Sequence, residues 1–316
     1  MPDPPPGAPR FAVVQAPSGL GLRAAGVEGL GNALLGGGLA EALDARTATT
    51  VAPLPASGVR DPASGVLNGP EVVAYALSLA DALGTVLDAG DVPLVLGGDC
   101  SVLLGGTLAL RRRDRAGLLF LDGHADFYQP SAESWGEAAS MDLALVTGHG
   151  PPTVGDIEGR SPLVRAEDAV LVGFRDAEEQ ARDGSQPLPG ALLALDLATV
   201  RAAGALAVAE RALAHLTRPG APDRFWVHVD ADVLDDAVMP AVDYRQPGGL
   251  SLNELATLLA AATATGRVAG VEVTIYNPAL DPDGTAGAAL TGALVRGLGA
   301  AAFPPRPGPR GRVAPS

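Results

Sequence analysis

Two short acidic segments carry the chemistry that this chain could do. Asp122-Gly123-His124-Ala125-Asp126 places two carboxylates and an imidazole at alternate positions, and Asp230-Ala231-Asp232 adds two more carboxylates. On extended backbone, side chains at i, i+2 and i+4 share one direction, so each segment presents its polar groups together. Carboxylates brought this close repel one another unless cations neutralise them. Carboxylates with imidazole suit hard or borderline divalent ions. An aspartate after a strand is otherwise a turn former or helix cap. That plainer reading is taken for Asp99, Asp235 and Asp236.

Both segments follow aliphatic runs. Seven such runs read as strands buried on both faces, at 10–15, 92–96, 117–121, 169–173, 191–195, 224–229 and 268–274. Helical patterns fall between them, at 29–45, 70–89, 101–113, 178–182, 202–216, 252–263 and 286–302. The alternation predicts an α/β fold: three αβα layers around a mainly parallel sheet of about eight strands. In open sheets of this kind the ligand site lies at the carboxyl ends of the strands. Gly97-Gly98-Asp99-Cys100-Ser101, Asp122–Asp126, Asp230–Asp235 and Thr274–Pro278 occupy four such ends. Residues 128–161 form the longest non-periodic stretch, and a loop of that length is functional or disordered. With no internal repeat or long linker, 10–302 reads as one domain between Pro/Arg-rich tails, 1–9 and 303–316, expected to be disordered.

Composition closes off other classes. The 316 residues carry 36 acidic and 22 basic side chains, a net charge of −14, which disfavours nucleic acid or an anionic membrane as partner. All the basic residues are arginine. A Schiff-base lysine, a lysine general base and a Walker-type phosphate loop are therefore excluded. One cysteine and 4 histidines exclude a disulfide framework and a Cys/His zinc finger. No run approaches the roughly 18 apolar residues of a membrane span. The opening Met1-Pro-Asp-Pro-Pro-Pro is not a secretory signal. A cytoplasmic protein acting on a small molecule is the expectation.

The motifs at 97–101, 122–126 and 230–235 stand in the order and spacing of the ureohydrolase (arginase/agmatinase/formiminoglutamase) family, which the chain resembles from Phe11 to about Leu298. Gly26–Gly31, Gly173-Phe174-Arg175-Asp176 and Gly248-Gly249-Leu250-Ser251 also fit. The resemblance implies two Mn²⁺ ions. Cys100, Asp122, Asp126 and Asp230 would hold one; Asp122, His124, Asp230 and Asp232 would hold the other. Ions about 3.5–4 Å apart share a hydroxide that attacks an sp² carbon bearing nitrogen, and Asp126 would orient it. The resemblance also implies a trimer or hexamer, to which the tail 306–312 could contribute a contact.

Three departures bear on substrate. Cys100 stands where most of the family has histidine, and a thiolate favours softer metals than Mn²⁺. Trp135-Gly136-Glu137-Ala138-Ala139-Ser140 replaces the arginase stretch that binds the amino-acid end, with Ala139 at the proton-shuttle histidine. Ile275 takes the position of the glutamate that pairs with guanidinium; Glu272 aligns elsewhere. Glu137 and Glu178 are the remaining acidic candidates for the substrate end. His149 reads as a loop residue; His215 and His228 read as structural, His228 turned away from Asp230's neighbours along its strand. The expectation is a dinuclear metal hydrolase cutting a C–N bond of a guanidino, amidine or formimino compound other than L-arginine. The alternatives are a catalytically silent relative and a metal-dependent amide deacylase.

Overall fold

The computed structural model describes residues 10–299, so both expected tails and the end of the 286–302 helix lie outside it. Eight strands form one sheet: β1 (Phe11–Ala16), β2 (Arg46–Thr50), β3 (Val92–Gly97), β4 (Gly117–Leu121), β5 (Ala169–Val172), β6 (Leu193–Leu195), β7 (Phe225–Asp230) and β8 (Val268–Thr274). Their order is β2-β1-β3-β8-β7-β4-β5-β6, and every pairing is parallel. β3, β4, β5, β7 and β8 are buried at every position. Their unbroken aliphatic runs reflect cover on both faces.

Two cores flank the sheet. One takes side chains from the helices Leu30–Gly36, Ala205–Leu216, Leu252–Ala264 and Thr285–Leu298. The other takes Gly69–Asp88, Leu103–Arg111 and Asp142–Val146. Each fully buried Leu or Val contributes about 1.5–3 kcal/mol. The stripe Val72, Tyr75, Leu79, Leu83 and Val86 of Gly69–Asp88 is part of that second core, although the helix is long and apolar enough to cross a membrane.

The eighth strand, β2, is the polar segment Arg-Thr-Ala-Thr-Thr at the sheet edge, half exposed and without an aliphatic run to mark it. Two expected helices are each broken in two. Gly38 (φ 83°) separates Leu30–Gly36 from Leu39–Ala42, and Gly204 (φ 83°) separates Leu197–Ala203 from Ala205–Leu216. Glycine alone adopts this backbone at little cost. Residues 128–161 are not a plain loop: they hold the helices Asp142–Val146 and Pro152–Gly155, and Met141–Val146 is buried throughout.

Candidate metal centre and cavity

The strands β3, β8, β7 and β4 are neighbours in mid-sheet, so the segments that follow them converge at one edge. After β3 the chain turns into a 3-10 turn, Cys100–Val102, whose first free N–H groups need an acceptor. Asp99 supplies it: its carboxylate accepts from Ser101 N (2.8 Å) and from Ser18 Oγ (3.2 Å). Asp235 likewise accepts from Ala237 N and Gly248 N. Both are the turn formers expected.

Asp122 and Asp230 each spend one oxygen on the local turn. Asp122 Oδ1 accepts from His124 N (2.7 Å), and Asp230 Oδ1 accepts from Asp232 N (2.7 Å). The 122–126 backbone is therefore not the extended strand that the spacing suggests. It folds back on Asp122, and Asp126 sits at φ 45°. Convergence survives because the turn replaces the alternation of a strand. Gly123 lets this turn press on the next one, since a Cβ there would meet Asp232 O at 2.7 Å.

The ligating atoms gather in three overlapping groups, each with its atoms within 4.8 Å of one another: Cys100, Asp122, His228 and Asp230; Cys100, Asp126 and Asp142; Asp122, His124 and Asp126. His124 Nδ1 lies 2.9 Å from Asp232 Oδ2. All six expected metal ligands are thus together. Asp142 and His228 join them unforeseen. His228 lies two residues before Asp230 on one strand, and that spacing puts both on one face; the expectation that it turned away is wrong. Asp142 opens a short helix that no pattern announces.

Electrostatics fit a cation site. Burial first, and then Asp232, raises Asp122 to about 6. Burial also pushes Asp126, Asp142 and Asp230 well above the carboxylate range, each neighbouring carboxylate adding to the effect. Burial, then Asp230, lifts the Cys100 thiol. For His124 burial opposes the charged form, but Asp232 and Asp122 outweigh it and raise it to about 9. Asp122 Oδ2 and Asp142 Oδ2 are buried without a hydrogen-bond partner, a costly state that a metal ion relieves. The donor set suits divalent metal.

The centre forms the floor of a cavity of about 460 Å³. Its walls include Leu22, Tyr128, Trp135, Ala139, Tyr244 and Ile275, and its further acidic residues are Glu133, Glu137, Asp176, Glu179, Asp183 and Asp243. Among the described residues no arginine lines it. Arg23 stacks at the rim, its guanidinium 4.2 Å from the centroid of the Trp135 ring.

A profile of the arginase family matches residues 41–298. The chain belongs to the arginase family. It is similar to the arginase of Brevibacillus brevis, 29% identical over 212 residues that span 67% of this chain and 70% of that one. Its fold superposes on the arginase of Bacillus caldovelox with a TM-score of 0.81 at 25% identity, covering 95% of this chain and 99% of the other. The proclavaminate amidino hydrolase of Streptomyces clavuligerus shares the fold at TM-score 0.67 and 19% identity, covering 95% and 94% of the two chains. Arginase-family proteins are hydrolases of C–N bonds built around a binuclear metal centre, typically of manganese.

Against that family pattern the departures have definite places. Ala139 and Ile275 both line the cavity as apolar wall. Ile275 does so at φ 71°, a strained backbone for a β-branched residue. Glu137 is buried and lines the cavity, but both oxygens are engaged: Oε1 accepts from Arg23 N and Oε2 from Tyr244 Oη, each at 2.7 Å. Glu178 is exposed and is not among the lining residues; the next residue, Glu179, is. Consecutive residues on the helix Ala177–Asp183 point about 100° apart, so Glu179 rather than Glu178 reaches the cavity. His149 is exposed and off the cavity, bonded to Thr147 Oγ1, and His215 Nε2 lies 2.8 Å from Glu167 O on the far side of the fold's chemistry.

Proposed function

We propose that this protein hydrolyses the C–N bond of a small cationic guanidino, amidine or formimino compound whose far end carries no carboxylate, and that L-arginine is not its substrate. One observation carries the reading. Six carboxylate residues beyond the metal cluster line the cavity, and among the described residues no arginine does. A carboxylate-bearing substrate would meet like charge over most of this lining, while a cation is drawn in. Ile275 bears on the reacting end instead: with a hydrocarbon where a carboxylate would pair with a guanidinium, the cavity favours the amidine and formimino members of this class.

Two divalent ions, when bound, supply Lewis acidity and a water acidic enough to ionise near neutral pH. Asp122, Asp126, Asp230, Asp232, His124 and Cys100 would hold that pair, with Mn²⁺ suited to the His124 side. Asp126 accepts a proton of the attacking water and orients its lone pair toward the substrate carbon. Leu22, Ala139 and Ile275 keep bulk water off the reacting carbon. Glu133, Glu179 and Asp183 draw the cationic end into the mouth. We include in this reading a cytoplasmic homo-oligomer, a trimer or hexamer.

The test is a panel of guanidino, formimino and acyl-amine compounds given to the metal-loaded full chain, with urea, ammonia and acetate measured. Urea or ammonia from cationic members is expected. Acetate as the product would make the protein a deacylase, and no product at full metal occupancy would make it a silent relative.

A further inference from the structure

His228 has two ring nitrogens with opposite situations. Nδ1 lies 2.7 Å from Glu272 Oε1, while Nε2 is fully buried and has no hydrogen-bond partner. The strand register builds this: His228 of β7 stands beside Glu272 of β8 and Phe120 of β4. Phe120 stacks on the imidazole, ring centroids 4.4 Å apart and 11° from parallel. The ring is clamped on its face and at one nitrogen, and the other nitrogen faces the metal cluster. A carboxylate holding the proton of Nδ1 leaves the Nε2 lone pair free, which is the arrangement of a metal-ligating histidine with its supporting carboxylate.

Asp122 shows the same division between a tied atom and a free one, and Asp230 and Cys100 complete the group. Asp122 gives Oδ1 to His124 N and leaves Oδ2 unpaired, 3.8 Å from His228 Nε2. Asp230 gives Oδ1 to Asp232 N and turns Oδ2 toward Cys100, whose Sγ donates to it at 2.8 Å. Cys100 is buried and free of any disulfide. A tetrahedral ion with ligand distances of about 2.0–2.3 Å sets its donors about 3.3–3.8 Å apart. The ligand atoms of Cys100, Asp122, His228 and Asp230 all lie within 4.8 Å of one another, close to that spacing.

We propose that the Cys100 side of the centre is a mixed thiolate–imidazole–carboxylate site, held by Cys100, His228, Asp122 and Asp230, which takes Zn²⁺ in preference to Mn²⁺. The imidazole that most relatives carry at position 100 enters here from β7, two strands away across β8, and a sulfur donor takes the vacated position. Sulfur and nitrogen donors with four-fold coordination favour zinc over manganese. Ion binding releases the Sγ proton to solvent and leaves the thiolate as ligand. Glu272 is a positioning residue that fixes the tautomer. The proposal rests on the divalent centre proposed above but not on any particular substrate.

The experiment strips the full chain with a chelator and titrates it with Co²⁺, a spectroscopic stand-in for Zn²⁺. The expected result is a near-ultraviolet thiolate-to-cobalt charge-transfer band that Cys100→Ser abolishes, and one tightly held Zn²⁺ per chain that excess Mn²⁺ does not displace. His228→Gln should weaken binding at this site more than tenfold, and Glu272→Gln by about 10–100-fold. Circular dichroism of the metal-free variants checks folding. Should His228→Gln not fold, zinc-edge X-ray absorption of the wild type decides: a sulfur scatterer near 2.3 Å together with imidazole scattering supports the site. No thiolate band at saturating cobalt, absence of that sulfur, or wild-type affinity in a folded His228→Gln overturns it. A band without turnover on the panel sinks the proposed substrate class alone; turnover with two bound Mn²⁺ and no band sinks this site alone.

Discussion

Glu272 and His228 meet at 2.7 Å across adjacent strands, and neither has any solvent exposure. The contact ties the floor of the cavity to the middle of the sheet. Removing one partner of a buried, hydrogen-bonded pair leaves the other uncompensated. Glu272→Ala should therefore lower the unfolding free energy of the metal-free protein by about 3–5 kcal/mol, read from urea denaturation. A loss under about 1 kcal/mol would mean that the pair behaves like a solvated one.

Cys100→His should raise the manganese retained after dialysis. The substitution restores a nitrogen donor where sulfur now disfavours a hard ion. Metal analysis of both proteins settles the matter, and equal manganese occupancy would show that the thiol does not govern metal choice.

Ile275→Glu should tighten guanidinium binding. The new carboxylate enters the cavity wall opposite no other cation, and a hydrogen bond to a charged group is worth about 1.5–3 kcal/mol, or roughly 10–100-fold in KM. The change also removes a β-branched residue from a positive-φ position. An unchanged KM for guanidino compounds would show that position 275 does not face the substrate cation.

Tyr244→Phe should move the acid limb of the kcat/KM profile. Burial raises the Glu137 carboxyl, and the hydroxyl of Tyr244 and the N–H of Arg23 pull it back down. Without the hydroxyl the carboxylate is less stabilised and its pKa rises further. As pH falls, Glu137 then loses its charge earlier, so attraction for a cationic substrate is lost at a higher pH. The shift should be up to about one unit, or 1.4 kcal/mol, because half-exposed Tyr244 is partly replaced by water. A limb that stays in place would remove Glu137 from substrate attraction.

Much of the fold is legible in the sequence, because buried parallel strands must be aliphatic along their whole length; β3, β4, β5, β7 and β8 announce themselves in this way. β2 does not, since an edge strand needs only one covered face. Asp122, His124, Asp126, Asp230 and Asp232 are legible because strand ends gather donors at one edge. His228 carries the same period-two signal relative to Asp230, and its neighbours Phe120 and Glu272 come only from pairing between strands. Asp142 lies in a helix whose burial no periodicity predicts, and Glu179 differs from Glu178 only by helical phase.

The most direct measurement compares two substrates matched in length, a guanidino-alkyl amine and L-arginine, on the metal-loaded full chain. An acidic cavity, with no arginine in its lining among the described residues, predicts a kcat/KM at least about 100-fold higher for the amine, a difference of roughly 2.7 kcal/mol. Equal efficiency, or a preference for L-arginine, would contradict the account.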